Sequence, residues 1–461
     1  MKHKLSSVCS LLLALLLVLG LVGCNGVDTN PCEHHWQEAN CTLPKTCTLC
    51  GAREGEKIAD AHAWLPTDEQ SNCLDNGKEL QVCVYCEETR TVSIDACGHT
   101  IVNDRCVLCG RVGLNNLKNV IYIIGDGMGM EHIAAGQYSS GNHFAFTEWQ
   151  FAASNTDSLT PGGKNASELT DSAASGTALA TGRLTLNGYV GLDQNKVELI
   201  TVPDTARSEG KKTGVITTDN LYGATPGAFT AHCDDRNESM EILLSQIQTS
   251  NVDFLCGAVS TTASLTAEMI ASNGYTWCQT MPEVKQNAES ADKLYCTLDM
   301  EGFSTSEAPI RLATVTETAL SFLDCKEGFV LMIEQAHVDK ASHNNDFEKA
   351  VKAVNSLNDT VNMILSWLGD RTDTAIVITA DHETGGLSVS GTKTLPYSYK
   401  TDTGSTIYYR FTTGSHTNSD VGLFIYGAAV NIASISYFKT PYQVKNSDIA
   451  GIVRRLIANK R

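Results

Sequence analysis

Val120-Ile121-Tyr122-Ile123-Ile124-Gly125-Asp126-Gly127-Met128-Gly129 is an unbroken apolar run that ends in three glycines set around one aspartate. A short apolar run bounded by turn residues reads as a strand buried on both faces. Gly214-Val215-Ile216-Thr217-Thr218, Phe329-Val330-Leu331-Met332-Ile333 and Ala375-Ile376-Val377-Ile378-Thr379 share this pattern, and Val421-Gly422-Leu423-Phe424-Ile425 is a fifth candidate. Between the third and fourth, Phe347, Ala350, Val351, Val354, Leu357, Val361, Ile364 and Leu368 recur at helical spacing. Strands alternating with helices predict an α/β domain over residues 114–461, with a mostly parallel central sheet and helices on both faces.

The carboxylates fall where such a sheet would place a site. Asp126, Glu334 and Asp381-His382 stand directly after apolar strands, and open α/β sheets bind ligands beyond the carboxyl ends of their strands. Asp339 and His343 are four apart, so a helix would turn both to one side. In Leu169-Thr170-Asp171-Ser172-Ala173-Ala174-Ser175-Gly176-Thr177-Ala178, Thr170 and Asp171 are capping residues ahead of a small-residue helix. Ser172 then lies in the first turn, where backbone N–H groups favour anions, and is a candidate nucleophile toward phosphate.

The chain of 461 residues carries a formal charge of −18, which argues against nucleic acid as a partner. A small anionic substrate stays compatible if metal ions make the site locally positive. Residues 1–23 read as a signal peptide: Lys2, His3 and Lys4 precede an apolar stretch from Leu11 to Leu21. Leu21-Val22-Gly23-Cys24 resembles a bacterial lipoprotein cleavage box, so Cys24 is expected to carry the lipid and to anchor an extracytoplasmic protein to the cell membrane.

Eleven of the 17 cysteines lie from Cys24 to Cys109. Within the region 24–113, spacing suggests three units: His35, Cys41, Cys47 and Cys50; His62, Cys73, Cys83 and Cys86; and Cys97, His99, Cys106 and Cys109. Three Cys and one His suit a closed structural zinc site. Disulfides are the competing reading, because export leads to an oxidising compartment. The region also resembles the histidine- and cysteine-containing repeats on surface proteins of anaerobic Gram-positive bacteria.

From about Asn116 onward the chain resembles the alkaline phosphatase family. The resemblance rests on Gly125-Asp126-Gly127-Met128-Gly129, Thr170-Asp171-Ser172-Ala173-Ala174, Ala224-Thr225-Pro226 with Ala231-His232 and Arg236, Met332-Ile333-Glu334, Asp339-Lys340, His343, Thr379-Ala380-Asp381-His382 and Gly414-Ser415-His416-Thr417. It implies a phosphomonoester hydrolase with two zinc ions and one magnesium ion. Asp339, His343 and His416 would hold one zinc, and Asp126, Asp381 and His382 the other, beside the nucleophile Ser172. Asp126 would also reach a magnesium held by Glu334 and Thr225. Arg236, oriented by Asp171, would grip the phosphate, and Lys340 would position substrate or water. The family further suggests a homodimer acting on small phosphate monoesters.

One position departs from the family pattern. Gly223 stands where members carry an acidic residue or a histidine. The departure implies a weaker magnesium site and a Lys340 freed of that partner. His232 reads as structural, His337 as an outer residue, and 387–413 as a short excursion over the site.

Overall fold

The computed structural model describes residues 36–47, 50–68, 77–83, 85–86, 88–94, 101–102, 105–106, 117–160, 169–260, 262–302, 308–401, 403–427 and 443–458. They fall into two compact units, the smaller within Met1–Glu69 and Lys78–Ile94 and the larger within Gln70–Gly77 and Asp95–Arg461.

One ten-stranded sheet organises the larger unit. Its strands are β1 (Asn119–Gly125), β2 (Gln150–Asn155), β3 (Lys212–Asn220), β4 (Phe254–Ala258), β5 (Thr276–Cys278), β6 (Leu294–Leu298), β7 (Phe329–Gln335), β8 (Thr374–Thr379), β9 (Val421–Gly427) and β10 (Gln443–Lys445). Across the sheet they run β5-β6-β4-β3-β7-β1-β8-β9-β2-β10. Both pairings of β9 are antiparallel, and every other neighbour pair is parallel. The five strands expected from apolar runs are β3, β7, β1, β8 and β9, side by side at the centre. The flanking strands are shorter or broken by polar residues, so their signal is weaker.

β1 shows why its sequence lacks polar alternation. Ile121 and Ile123 enter one core, while Val120, Tyr122 and Ile124 enter another on the opposite face. The helices that cover these faces are α1 (Met130–Ser140), α2 (Ser172–Thr181), α3 (Ala224–Thr230), α4 (Leu312–Leu323), α5 (His337–His343), α6 (Phe347–Leu368) and α7 (Asn446–Ala458). On one face α6 buries Val354, Leu357, Val361 and Ile364 with Val315 and Leu320 of α4. On the other, α7 buries Ile449, Val453 and Leu456 with Leu179 of α2. Each such side chain contributes about 1.5–3 kcal/mol when fully buried. The Asp346 side chain accepts from Lys349 N to start α6, which spans the predicted residues.

The 387–413 segment forms a small antiparallel sheet of Ser388–Ser390, Tyr397–Lys400 and Thr406–Arg410. Leu387 and Ile407 pack with Ala135 of α1 and with Phe347 and Val351 of α6. The excursion is thus docked on helices through its own apolar cluster.

In the smaller unit, Trp36–Gln37, Lys45–Cys47 and Arg53–Glu54 form one three-stranded antiparallel sheet, and Trp64–Asp68, Gly77–Cys83 and Thr89–Ile94 form another sheet. The expected grouping of its cysteines needs one correction. Cys41 clusters with His62, Cys83 and Cys86, residues expected for the second unit. Its backbone N–H donates to the Ala61 carbonyl (3.1 Å), which brings it beside them. Spacing along the chain cannot anticipate this stitch. Cys24, His35, Cys73, Cys97, His99 and Cys109 lie outside the described residues, and Cys106 is described only as part of the Arg105–Cys106 strand.

Candidate active site

The strand ends meet at Asp126. Its N–H donates to Gln335 O at the end of β7 (3.0 Å), and its carbonyl accepts from Asp339 N on α5 (2.9 Å). Gly127 has φ +73°, and a Cβ there would lie 2.7 Å from the Asp339 backbone, so both conformation and space require glycine. The Gly127 N–H donates to Asp381 Oδ1 (3.1 Å), which also accepts from His382 N (2.9 Å). These bonds, from backbone N–H groups to backbone carbonyls and to the Asp381 carboxylate, fix three strand ends against one another.

Ser172 opens α2, as the sequence predicts. Asp171 is the N-cap: its Oδ1 accepts from Ala174 N (2.9 Å), satisfying an otherwise orphaned donor. Its Oδ2 accepts from Arg236 Nη1 (3.0 Å) and Gly188 N (3.0 Å), so one carboxylate both ends the helix and aims the guanidinium. Ser172 Oγ lies 3.1 Å from His382 Nε2 and is buried. Burial pushes the His382 imidazole pKa down, favouring the neutral ring.

Behind the serine, Asp126, Asp381 and His382 each offer an atom within 4.8 Å of the others. Asp126 Oδ1 and Asp381 Oδ2 are buried without a hydrogen-bond donor among the described residues. Burial, then Asp381, Asp339 and Glu334, push the Asp126 carboxyl well above the usual range. Such a crowd of buried carboxylate oxygens is expensive unless cations neutralise it. The donor set therefore fits a divalent ion.

On the outer side, His343 Nε2 is 3.2 Å from Asp339 Oδ1 and 3.2 Å from His416 Nε2. Each ring is aimed by its other nitrogen: His343 Nδ1 meets Gly414 O (2.7 Å), and His416 Nδ1 meets Thr170 O (2.7 Å). Carbonyl partners of this kind fix the imidazole so that Nε2 faces a metal. Asp339, His382 and His416 form a second cluster within 4.8 Å, and the His382 and His416 rings stack at 3.6 Å. His382 thus sits between both clusters.

A third corner holds Glu334, Thr225 and Lys340. Burial, then Asp219, push the Glu334 carboxyl up to about 8, although Thr217 donates a hydrogen bond to it. The Thr225 hydroxyl is buried at the start of α3, close enough to Glu334 to favour its charged form. The expectation of a freed Lys340 needs correction. Its Nζ lies 2.9 Å from Asp219 Oδ2, and a Cβ built on Gly223 would stand 2.9 Å from that same oxygen. Asp219 therefore occupies the space that a side chain at 223 would fill, and it supplies the ammonium with a carboxylate. Asp219 is the site residue that motif reading missed. A signal was present, since Asp219 follows the Gly214–Thr218 run as Asp126 follows Ile124 and Gly125.

The remaining expectations are simpler. His232 Nε2 contacts Leu199 O (3.0 Å) and His337 Nε2 contacts Thr218 O (3.2 Å), so both support backbone away from the histidine cluster. Glu383, buried beneath the site, accepts from Gly386 N and Leu387 N (both 3.2 Å) and from the Thr417 hydroxyl, tying the His416 loop to β8's exit.

Residues 117–262 and 294–447 match the family model described as alkaline phosphatase. Alkaline phosphatase 4 of Bacillus subtilis is 30% identical over 296 residues, covering 59% of this chain and 63% of the relative. Alkaline phosphatase 3 of the same organism is 28% identical over 295 residues, covering 60% and 63%. The chain thus spans slightly less than two thirds of the length of these relatives. A shorter match, 38% identical over 131 residues, joins it to streptomycin-6-phosphate phosphatase of Streptomyces griseus, with 28% of this chain and 29% of that one covered. The structure of alkaline phosphatase from the Antarctic bacterium TAB5 shares the fold, with a TM-score of 0.63 at 23% identity over 75% of this chain and 99% of that one. The family match begins just before β1, includes the ends of β1, β3, β7 and β8 and closes at the start of α7, so this chain belongs to the alkaline phosphatase family.

Proposed function

We propose that the protein is a metal-dependent phosphomonoester hydrolase that works through a phosphoserine at Ser172, with two zinc ions and one magnesium ion. The observation that carries this reading is Ser172 Oγ, held 3.1 Å from His382 Nε2 at a helix N-terminus and next in sequence to the carboxylate that aims Arg236. Asp339, His343 and His416 would hold one zinc, and Asp126, Asp381 and His382 the second. Glu334, Thr225 and Asp126 would hold magnesium, with Asp219 as the outer carboxylate. Bound cations supply positive charge at the attacking and leaving oxygens and lower the serine pKa.

The chain's own groups define the remaining chemistry. Arg236 presents a planar fork to two non-bridging phosphate oxygens, and Asp171 keeps that fork in place. The N–H groups in the first turn of α2 favour the phosphate charge. Ser172 Oγ loses its proton and bonds to phosphorus while the bond to the leaving alcohol oxygen breaks, and that oxygen takes up a proton. Water then attacks the phosphoserine, its oxygen bonding to phosphorus as the Oγ bond breaks, which releases inorganic phosphate and restores the hydroxyl.

The test is turnover of a monoester and a diester, with acid quenching to trap a phosphopeptide. The monoester should be strongly preferred and the label should lie on Ser172. Ser172→Ala should lower turnover on the order of 10³-fold or more, with bound metal unchanged. A variant that keeps near-parental single-turnover rates overturns the phosphoserine route.

The mature chain is further proposed to act outside the cytoplasm as a homodimer, anchored by lipid on Cys24. Cys24→Ala should move the activity from the detergent phase to the aqueous phase, and a parent protein already in the aqueous phase removes the anchor. Sedimentation of the released enzyme should give twice the chain mass.

A further inference from the structure

The small cysteine-rich unit brings together four side chains from three separate segments. Cys41 comes from a loop folded around Asn40, whose Oδ1 accepts from Thr42 N and Leu43 N (both 2.9 Å). His62 precedes the Trp64–Asp68 strand, and Cys83 and Cys86 lie at the end and turn of the next strand, with Trp64 in register opposite Cys83. One donor atom from each of the four lies within 4.8 Å of the others. Cys41 Sγ is 3.6 Å from Cys83 Sγ, and Cys86 Sγ is 3.3 Å from His62 Nδ1.

These separations have a geometric meaning. A tetrahedral zinc ion with Zn–S near 2.3 Å and Zn–N near 2.0–2.1 Å sets its sulfurs about 3.8 Å apart and sulfur from nitrogen about 3.6 Å apart. The observed contacts lie within a few tenths of an ångström of those edges. The surroundings also match what thiolate and imidazole ligands use. Tyr85 N donates to Cys83 Sγ (3.4 Å), and Cys83 N donates to Glu88 O (2.8 Å), closing a tight turn around the Cys83-x2-Cys86 pair. With His62 Nδ1 facing Cys86, its Nε2 faces the Glu88 carboxylate at 3.6 Å, the carboxylate–histidine–metal order that fixes a ligand ring. Cys41 and Cys83 are buried.

We propose that Cys41, His62, Cys83 and Cys86 form one closed structural zinc site, with Cys41 taking the place that spacing gave to Cys73. A disulfide joins only two of these groups and needs sulfurs near 2.05 Å. A single tetrahedral cation uses all four at the separations present. The ligand identities select a thiophilic ion over magnesium or calcium. With four ligands from the protein the site is full, so its role is to join the Asn40 loop to the Trp64–Ile94 strands. This proposal is independent of the catalytic reading.

The test uses the full chain loaded with cobalt(II), because thiolate ligation alone gives sulfur-to-cobalt charge-transfer absorption and the proposed catalytic ligands contain no sulfur. Cys41→Ser should remove charge-transfer intensity and one equivalent of metal, while Cys73→Ser should leave this set's contribution in place. The reverse pattern overturns the assignment. Alkylation mapping covers the case in which a variant misfolds. In the unmodified zinc-loaded protein, Cys41, Cys83 and Cys86 should resist iodoacetamide and become reactive after chelation. Ready labelling before chelation, or a Cys41–Cys83 disulfide in the peptide map, also overturns it.

Discussion

The larger unit and the cysteine-rich unit both gather ligand-type side chains, but the forces that gather them differ. In the larger unit, Asp126, Glu334 and Asp381-His382 follow strands of a sheet whose two faces are each sealed by a large apolar core. That burial is ample to position the carboxylates even when they repel one another. In the smaller unit the cluster links a loop and a hairpin, and among its described residues the buried side chains are chiefly the cysteines themselves with Asn40 and Gln81. One unit builds a frame that can tolerate a charged site. The other, with so little apolar core among its described residues, would need the proposed ion to complete a frame.

Chelation should separate the two most sharply. A strong chelator should abolish turnover, and zinc should restore it better than calcium, because His343, His382 and His416 offer nitrogen donors. Followed by hydrogen exchange, β1 and β7 should stay protected while the Cys83–Ile94 hairpin opens. Simultaneous loss of protection in both units breaks the contrast, and equal rescue by calcium ends the assignment of the histidine-bearing sites.

Removing the phosphate fork should have the next largest effect. Arg236→Ala should lower kcat/KM about 10–100-fold, the worth of hydrogen bonds to a charged group. Arg236→Lys should recover only part, because an ammonium lacks the planar pair of donors. A ratio within twofold of the parent would remove Arg236 from phosphate recognition.

The corner of Glu334, Thr225 and Asp219 should give the smallest change in rate. Asp219→Gly should raise the magnesium needed for full activity about 10–100-fold, with little effect once magnesium saturates. Gly223→Asp alone should bring no gain, since its Cβ would meet Asp219 Oδ2 at 2.9 Å. The double exchange, Asp219→Gly with Gly223→Asp, should restore part of the affinity. Magnesium titrations at saturating zinc decide the matter, and superimposable curves for Asp219→Gly and parent would exclude a role for Asp219.

How far the sequence could be read followed from how each residue reaches its place. Asp126, Glu334 and Asp381-His382 are legible because a buried parallel strand announces itself as an apolar run and the ligand comes next. His416 obeys the same geometry in reverse: β9 runs antiparallel, so the site receives the residues before that strand. Ser172 was legible from its cap and small-residue helix. Asp219 was hidden because the expected position, Gly223, drew attention to a side chain that is missing, while the carboxylate that fills the gap comes from four residues earlier. Cys41 was hidden because its neighbour is chosen by one backbone hydrogen bond to Ala61, and such long-range stitches leave no periodic trace.

Asp171 ties thermal behaviour to recognition. One of its oxygens holds the first turn of α2 and the other holds Arg236. The Asp171–Arg236 pair is partly exposed, unlike the sealed strands of the sheet, and such local contacts open before a sheet core melts. Gentle warming would therefore loosen the cap first, and the guanidinium would lose its bearing while β1 is still intact. The proposed grip on phosphate should fade at temperatures where the fold still looks native, so the working range would be set by one carboxylate rather than by the ten-stranded sheet.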